Sequence, residues 1–192
     1  FELAFWPVAM DSKVKDVKAL PDGDILITLF NGSIRNSENE EMAHLLRKKS
    51  TLLVAFGSCA CEGGIPGLAN FSSRKSIFET AYHTVSTDNP DGIHPQPNYE
   101  VAEGVLHIPE FYPVLKTLDQ VVPVDYYMPG CPPEPPQIAA VVELVISVLQ
   151  EKAELPPKGS TIGAGLSTVC DECKRKRNVK SVKKFVSIQI GR

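Results

Sequence analysis

The chain has 192 residues, 43% apolar and 22% charged, which suits one ordinary folded domain plus a tail and excludes wholesale disorder. Net charge is only −3, yet Lys174 to Arg192 holds eight basic residues and no acidic one, leaving 12 basic against 23 acidic in the first 173 residues. That basic tail carries a single aromatic, Phe185, so an acidic protein partner or plain solvation is expected ahead of nucleic acid.

Glu2-Leu3-Ala4-Phe5-Trp6 reads as a short buried strand stopped by Pro7. Asp24 to Phe30 is a second strand, turned out by Asn31-Gly32. Ser37 and Glu40 form a capping box that opens a helix with Met42, Leu45 and Leu46 on one face. The helix finishes on Arg47-Lys48-Lys49, which suits its C-terminal dipole. Thr51 to Phe56 is apolar throughout, as in a parallel sheet covered on both faces. Strand, capped helix and strand together make a βαβ unit.

The 64 residues from Gly57 to Gln120 are too long for a bare crossover, so part of them is an insertion, with a helix expected over 76–85. Val121 to Tyr127 is the next strand. Pro135 and Pro136 start a final helix that runs to about Lys152. After Gln137 in its first turn, its only polar positions before Gln150 are Glu143 and Ser147, so it should be buried on most sides, in part by a partner. The apolar stretch from Pro135 to Gln150 is 16 residues long and contains Glu143, too short for a membrane span. No basic, apolar-cored leader opens the sequence, and no secretion signal is expected.

Five cysteines are few, and odd in number, for a disulfide scaffold. They lie in marked turns: Gly57-Ser58-Cys59-Ala60-Cys61, Gly130-Cys131-Pro132-Pro133 and Cys170-Asp171-Glu172-Cys173. The first two turns follow directly on expected parallel strands, where ligands of doubly wound sheets gather. Cys59 and Cys131 could therefore face each other there, and glycine turns of this kind favour anionic iron–sulfur groups. Zinc would also accept two thiolates, and core cysteines are the bland alternative. Cys61, two residues after Cys59, should point away from it. His44 is expected on the surface, and His83, His94 and His107 in or beside the insertion match no ligand motif. No Gly-x-Gly-x-x-Gly or Walker loop occurs, and no hydrolase arrangement is found.

Gly57-Ser58-Cys59-Ala60 with Gly63-Gly64, and Pro129-Gly130-Cys131-Pro132-Pro133, resemble two cluster motifs of nickel–iron hydrogenase small subunits and of the related complex I 20-kDa subunit. The stretches Phe5 to Asp11, Phe30 to Glu38, Leu45 to Ser50 and Gly64 to Phe71 are similar to one branch. That branch is the small subunit of the methyl-viologen-reducing, heterodisulfide-reductase-associated [NiFe]-hydrogenase of methanogens.

The resemblance implies an α/β, flavodoxin-like, doubly wound parallel sheet with a C-terminal iron–sulfur segment. Residues 1–150 would carry a proximal 4Fe–4S cluster on Cys59 and Cys131. Residues 151–192 would be a linker and the start of a segment in which Cys170 and Cys173 hold a second 4Fe–4S cluster. The family's upstream Cys-x-x-Cys would lie before Phe1 and its later cysteines beyond Arg192, so the sequence reads as truncated at both ends. The implied role is cytoplasmic electron transfer from hydrogen oxidised in a large subunit, through an iron–sulfur adaptor subunit, to a heterodisulfide reductase complex that bifurcates electrons at a flavin. No catalytic residue is assigned to the chain itself. A complex-I-type quinone-linked relay and a zinc-stabilised adaptor remain the alternatives.

Overall fold

The computed structural model describes residues 2–84, 86–165, 167 and 173–175. After a short helix α1 (Val14–Ala19), β1 (Ile25–Asn31) leads through β2 (Ile34–Asn36) into α2 (Ser37–Lys49), which delivers the chain straight to β3 (Ser50–Phe56). The insertion then holds α3 (Ser58–Glu62), a 3-10 turn at Pro66–Phe71, α4 (Arg74–Tyr82), the hairpin β4 (Asn98–Val101) and β5 (Gly104–His107), and β6 (Phe111–Lys116). A 3-10 turn at Leu118–Gln120 precedes β7 (Tyr126–Met128), and α5 (Pro135–Leu149) is the last helix among the described residues.

The central sheet is parallel, in the order β1-β3-β7, with Thr28 opposite Leu53 and Ala55 opposite Tyr127. β3 explains its own apolar run. Leu53 and Ala55 pack into one core with Phe30, Ala43, Leu46, Ala60 and Leu118, whereas Val54 faces a second core with Tyr126, Met128, Val141 and Ile162. Both faces of the sheet are thus covered, the doubly wound α/β arrangement read from the sequence. α5 buries Val141 against the sheet and leaves Val142 and Leu149 exposed, so one face rather than most of this helix is covered. Among the described residues, no helix is long and apolar enough to cross a membrane.

Three local expectations shift. The cap of α2 lies one residue earlier than Ser37: the Asn36 side chain accepts from the Asn39 N–H at 2.8 Å, and Asn39 Oδ1 accepts from the Asn36 N–H at 3.3 Å. The reason is that β2 runs directly into the helix, so its last residue still has extended backbone and serves as the cap. Ser37 and Glu40 are used elsewhere. Ser37 pairs with Glu110, and Glu40 accepts from Tyr112 Oη at 2.5 Å, which pushes the Tyr112 phenol up to about 12.

Glu2 to Trp6 is not a strand, and Leu3 and Trp6 are half exposed. Apolar composition asks for burial there, but strand backbone also needs a neighbour for its N–H and C=O groups. β7 begins only at Tyr126, because Leu118–Gln120 turns the chain and Pro123 has no N–H to give a ladder.

Beyond α5 the Pro/Gly stretch returns to the sheet. The Tyr127 N–H donates to Ser160 O at 3.1 Å and the Ile162 N–H to Tyr127 O at 2.8 Å, alongside β7. At the opposite, amino end of the sheet, buried Asp125 accepts from Arg47 Nη1 and Lys158 Nζ at 2.6 Å each and from the Leu53 N–H at 2.8 Å. One carboxylate therefore ties α2, β3, β7 and the returning segment together.

Candidate metal centre

β3 and β7 run parallel and end side by side, Phe56 beside Met128. Each strand then turns on glycine. Gly57 (φ 87) donates its N–H to Met128 O at 2.8 Å, and the Ser58 N–H donates to Gly130 O at 2.7 Å. Ser58 and Gly130 are the residues immediately before the two cysteines. Cys59 and Cys131 consequently leave adjoining, hydrogen-bonded turns at the carboxyl edge of the sheet.

Glycine is required at two of these positions by space as well as by dihedral angle. A Cβ on Gly130 (φ 149) would lie 2.5 Å from Pro133 Cα, a distance real side chains do not tolerate. A Cβ on Gly64 (φ 52) would lie 3.2 Å from the Cys59 nitrogen and 3.3 Å from its Sγ. The wall beside the Cys59 sulfur is thus bare backbone. Gly64→Ala is expected to destabilise the fold by about 1–3 kcal/mol, through the left-handed conformation and the pressure on Cys59. An unchanged thermal midpoint would contradict this account of the turn.

Cys59 is half-buried and Cys131 exposed, and both are free thiols. Two soft sulfur donors on adjoining turns, backed by a glycine wall that leaves room at one of them, fit a bulky, sulfide-rich anionic group. Among the described residues no set of three or more His, Cys, Asp and Glu side chains gathers as a metal site.

Cys61 goes the other way. It follows Cys59 by two positions on α3, about 200° around a helix. Its Sγ donates to Ala55 O at 3.3 Å, it packs against the first core, and burial pushes its thiol up to about 11. A thiol so held is a poor ligand. Cys173 is exposed, and Cys170 lies outside the described residues. His44 is exposed on α2, as expected, and His107 Nδ1 bonds Asn98 Oδ1 at 2.6 Å across the β4–β5 hairpin. His83 and His94 meet one another, a contact that no sequence motif signals.

Comparison with known proteins gives concordant results. The family described as "NADH ubiquinone oxidoreductase, 20 Kd subunit" matches residues 1–145. The chain is 46% identical to the iron–sulfur subunit of the F420-non-reducing hydrogenase of Archaeoglobus profundus, over 93% of this chain and 54% of that one. It is 36% identical to a subunit of the vhu F420-non-reducing hydrogenase of Methanocaldococcus jannaschii, over 92% of this chain and 52% of that one. The chain therefore spans about half the length of the curated relatives it matches. A chain in the crystal structure of an NAD+-reducing [NiFe]-hydrogenase in the H2-reduced state is similar in fold, with a TM-score of 0.56, 26% identity and 71% of each chain covered.

Proposed function

The chain belongs to the family of the NADH ubiquinone oxidoreductase 20 Kd subunit, and from that premise we propose that it is the electron-transferring iron–sulfur subunit of a [NiFe]-hydrogenase. The observation that carries this reading is the pair of adjoining cysteine turns at the carboxyl edge of the parallel sheet, locked by the Ser58–Gly130 hydrogen bond. Cys59 and Cys131 would be two ligands of a proximal 4Fe–4S cluster, and Cys170 and Cys173 ligands of a further one. A 4Fe–4S cluster, when bound, supplies a one-electron carrier whose potential follows hydrogen bonding and solvent exposure at its sulfurs.

The chain's own contribution is placement and exclusion of water. Gly57 and Gly130 bend the two turns toward each other, and Gly64 leaves the Cys59 sulfur its space. Ala60 and Met128, both fully buried, keep the adjacent sheet edge dry. The partner that oxidises hydrogen would be a large subunit carrying the nickel–iron centre. The names of the relatives, which are hydrogenase subunits, support that assignment. Onward transfer through an iron–sulfur adaptor subunit to heterodisulfide reductase, with bifurcation at a flavin, is the finer proposal and rests on the motif wording of the sequence.

Metal and sulfide analysis of the anaerobically purified complex tests the reading. Iron with acid-labile sulfide, and a cluster EPR signal that develops under hydrogen, are expected. Zinc without iron would overturn it in favour of a structural adaptor.

A further inference from the structure

The insertion brings together two histidines that the hydrogenase reading leaves unused. His83 follows α4, and His94 lies eleven residues further on, beyond a turn. Their Nε2 atoms are 2.7 Å apart, with ring planes at 71°. His83 is exposed and His94 half-buried.

The approach is built by the surrounding residues. Asn89 Nδ2 donates to Tyr82 O at 3.1 Å and to Ile93 O at 3.0 Å, and Asn89 Oδ1 accepts from the Ile93 N–H at 3.0 Å. Tyr82 and Ile93 are the residues immediately before the two histidines, so one amide sets the starting point of both. His94 is backed by the rings of Phe78 and Tyr82, with centroids 5.5 and 5.9 Å away. Gly92 (φ 62) passes so close to His83 that a Cβ there would lie 3.2 Å from Cε1. Ring packing, a glycine contact and an asparagine bracket all hold the same pair of nitrogens face to face.

We propose that His83 and His94 form a two-imidazole site for a borderline divalent transition cation such as zinc or nickel. Imidazole nitrogen suits these ions, and the surrounding packed rings and fixed backbone limit the ordering that binding requires. Tetrahedral coordination at ordinary zinc–nitrogen distances places the two donors about 3.3 Å apart. The exposed His83 ring has to swing outward by about 0.6 Å and tilt, so that both nitrogen lone pairs point at the ion rather than at each other. When both rings are neutral, one Nε2 carries the shared proton. On binding, that proton moves through solvent to the Nδ1 of the same ring, and both Nε2 lone pairs face the ion with no net proton released. Among the described residues no third His, Cys, Asp or Glu joins them as a metal site. The remaining positions therefore fall to water, which makes this a site of micromolar rather than structural-zinc strength.

Calorimetric titration of zinc chloride into the purified full-length complex near pH 7.5 tests the assignment. Thiol-dependent binding is common to all variants, and the readout is the difference between them. The wild-type complex should give one micromolar event that is absent in both His83→Ala and His94→Ala and retained in His107→Ala. Asn89→Ala, which removes no ligand, should weaken the same event by roughly tenfold. Because His83 is exposed, its truncation does not threaten the fold. Persistence of the event in His83→Ala, or its loss in His107→Ala, would overturn the proposal.

Discussion

Replacing Cys131 by serine is expected to abolish hydrogen-dependent dye reduction by the assembled complex, a fall of more than about 100-fold, while binding to the large subunit persists. The size of the effect follows from the ligand chemistry. Disturbing groups around a metal site already costs about 10- to 100-fold, and on the proposed reading a ligand itself is lost here. Cys131 is exposed, so in the cluster-free chain its substitution should change stability by less than about 0.5 kcal/mol. Lost activity would then reflect lost ligation rather than unfolding. The contrast is Cys61→Ser: its thiol is turned inward to Ala55 O, a hydroxyl can make the same hydrogen bond, and dye reduction should survive. Dye reduction at the wild-type rate in Cys131→Ser would remove Cys131 from the ligand set.

The second large effect is on stability. Asp125→Ala should destabilise the protein by about 2–4 kcal/mol, because it leaves the buried Leu53 N–H without its partner and takes the counter-charge from Arg47, whose guanidinium keeps only its bonds to the Ser50, Thr51 and Pro123 carbonyls. Burial alone would raise the Asp125 pKa, but hydrogen bonds from Arg47, Lys158 and the Leu53 N–H outweigh it and hold the carboxyl below its ordinary 3.8. The sign of the pH dependence follows. A carboxylate with a depressed folded pKa contributes its full stability above the unfolded value and loses it as pH falls through the folded one. Chemical denaturation of wild type and Asp125→Ala from pH 7 to pH 2.5 should therefore show a gap that is constant near neutrality and closes in acid. A gap below about 1 kcal/mol at pH 7 would mean that the returning segment and α2 are held by packing alone.

How much of the fold and the site is legible in the sequence depends on how local each signal is. The carboxyl-edge turns are legible because glycine and proline bracket Cys59 and Cys131 directly after apolar runs, and such residues mark where an extended run must stop. β3 is legible from its unbroken apolar run, and α5 from Pro135 and its long apolar face. Long-range choices are hidden. Glu2 to Trp6 has the composition of a strand but, among the described residues, no neighbour to pair with. The β4–β5 hairpin gives no signal because its residues are almost all exposed, so no alternation of polar and apolar positions marks it. The α2 cap sits one residue early because two overlapping boxes, Asn36/Asn39 and Ser37/Glu40, compete in the same sequence, and β2 decides between them. The Asp125 network and the His83–His94 contact depend on partners 78 and 11 residues away, respectively, and leave no periodic trace.

The central claim is that Cys59 and Cys131 grip one iron–sulfur group together, and anomalous scattering at the iron edge from crystals of the anaerobic complex tests it most directly. The expected result is a multi-iron peak between the two turns, touching both sulfurs. A peak at the zinc edge alone, or sulfurs with no metal density between them, would contradict the account.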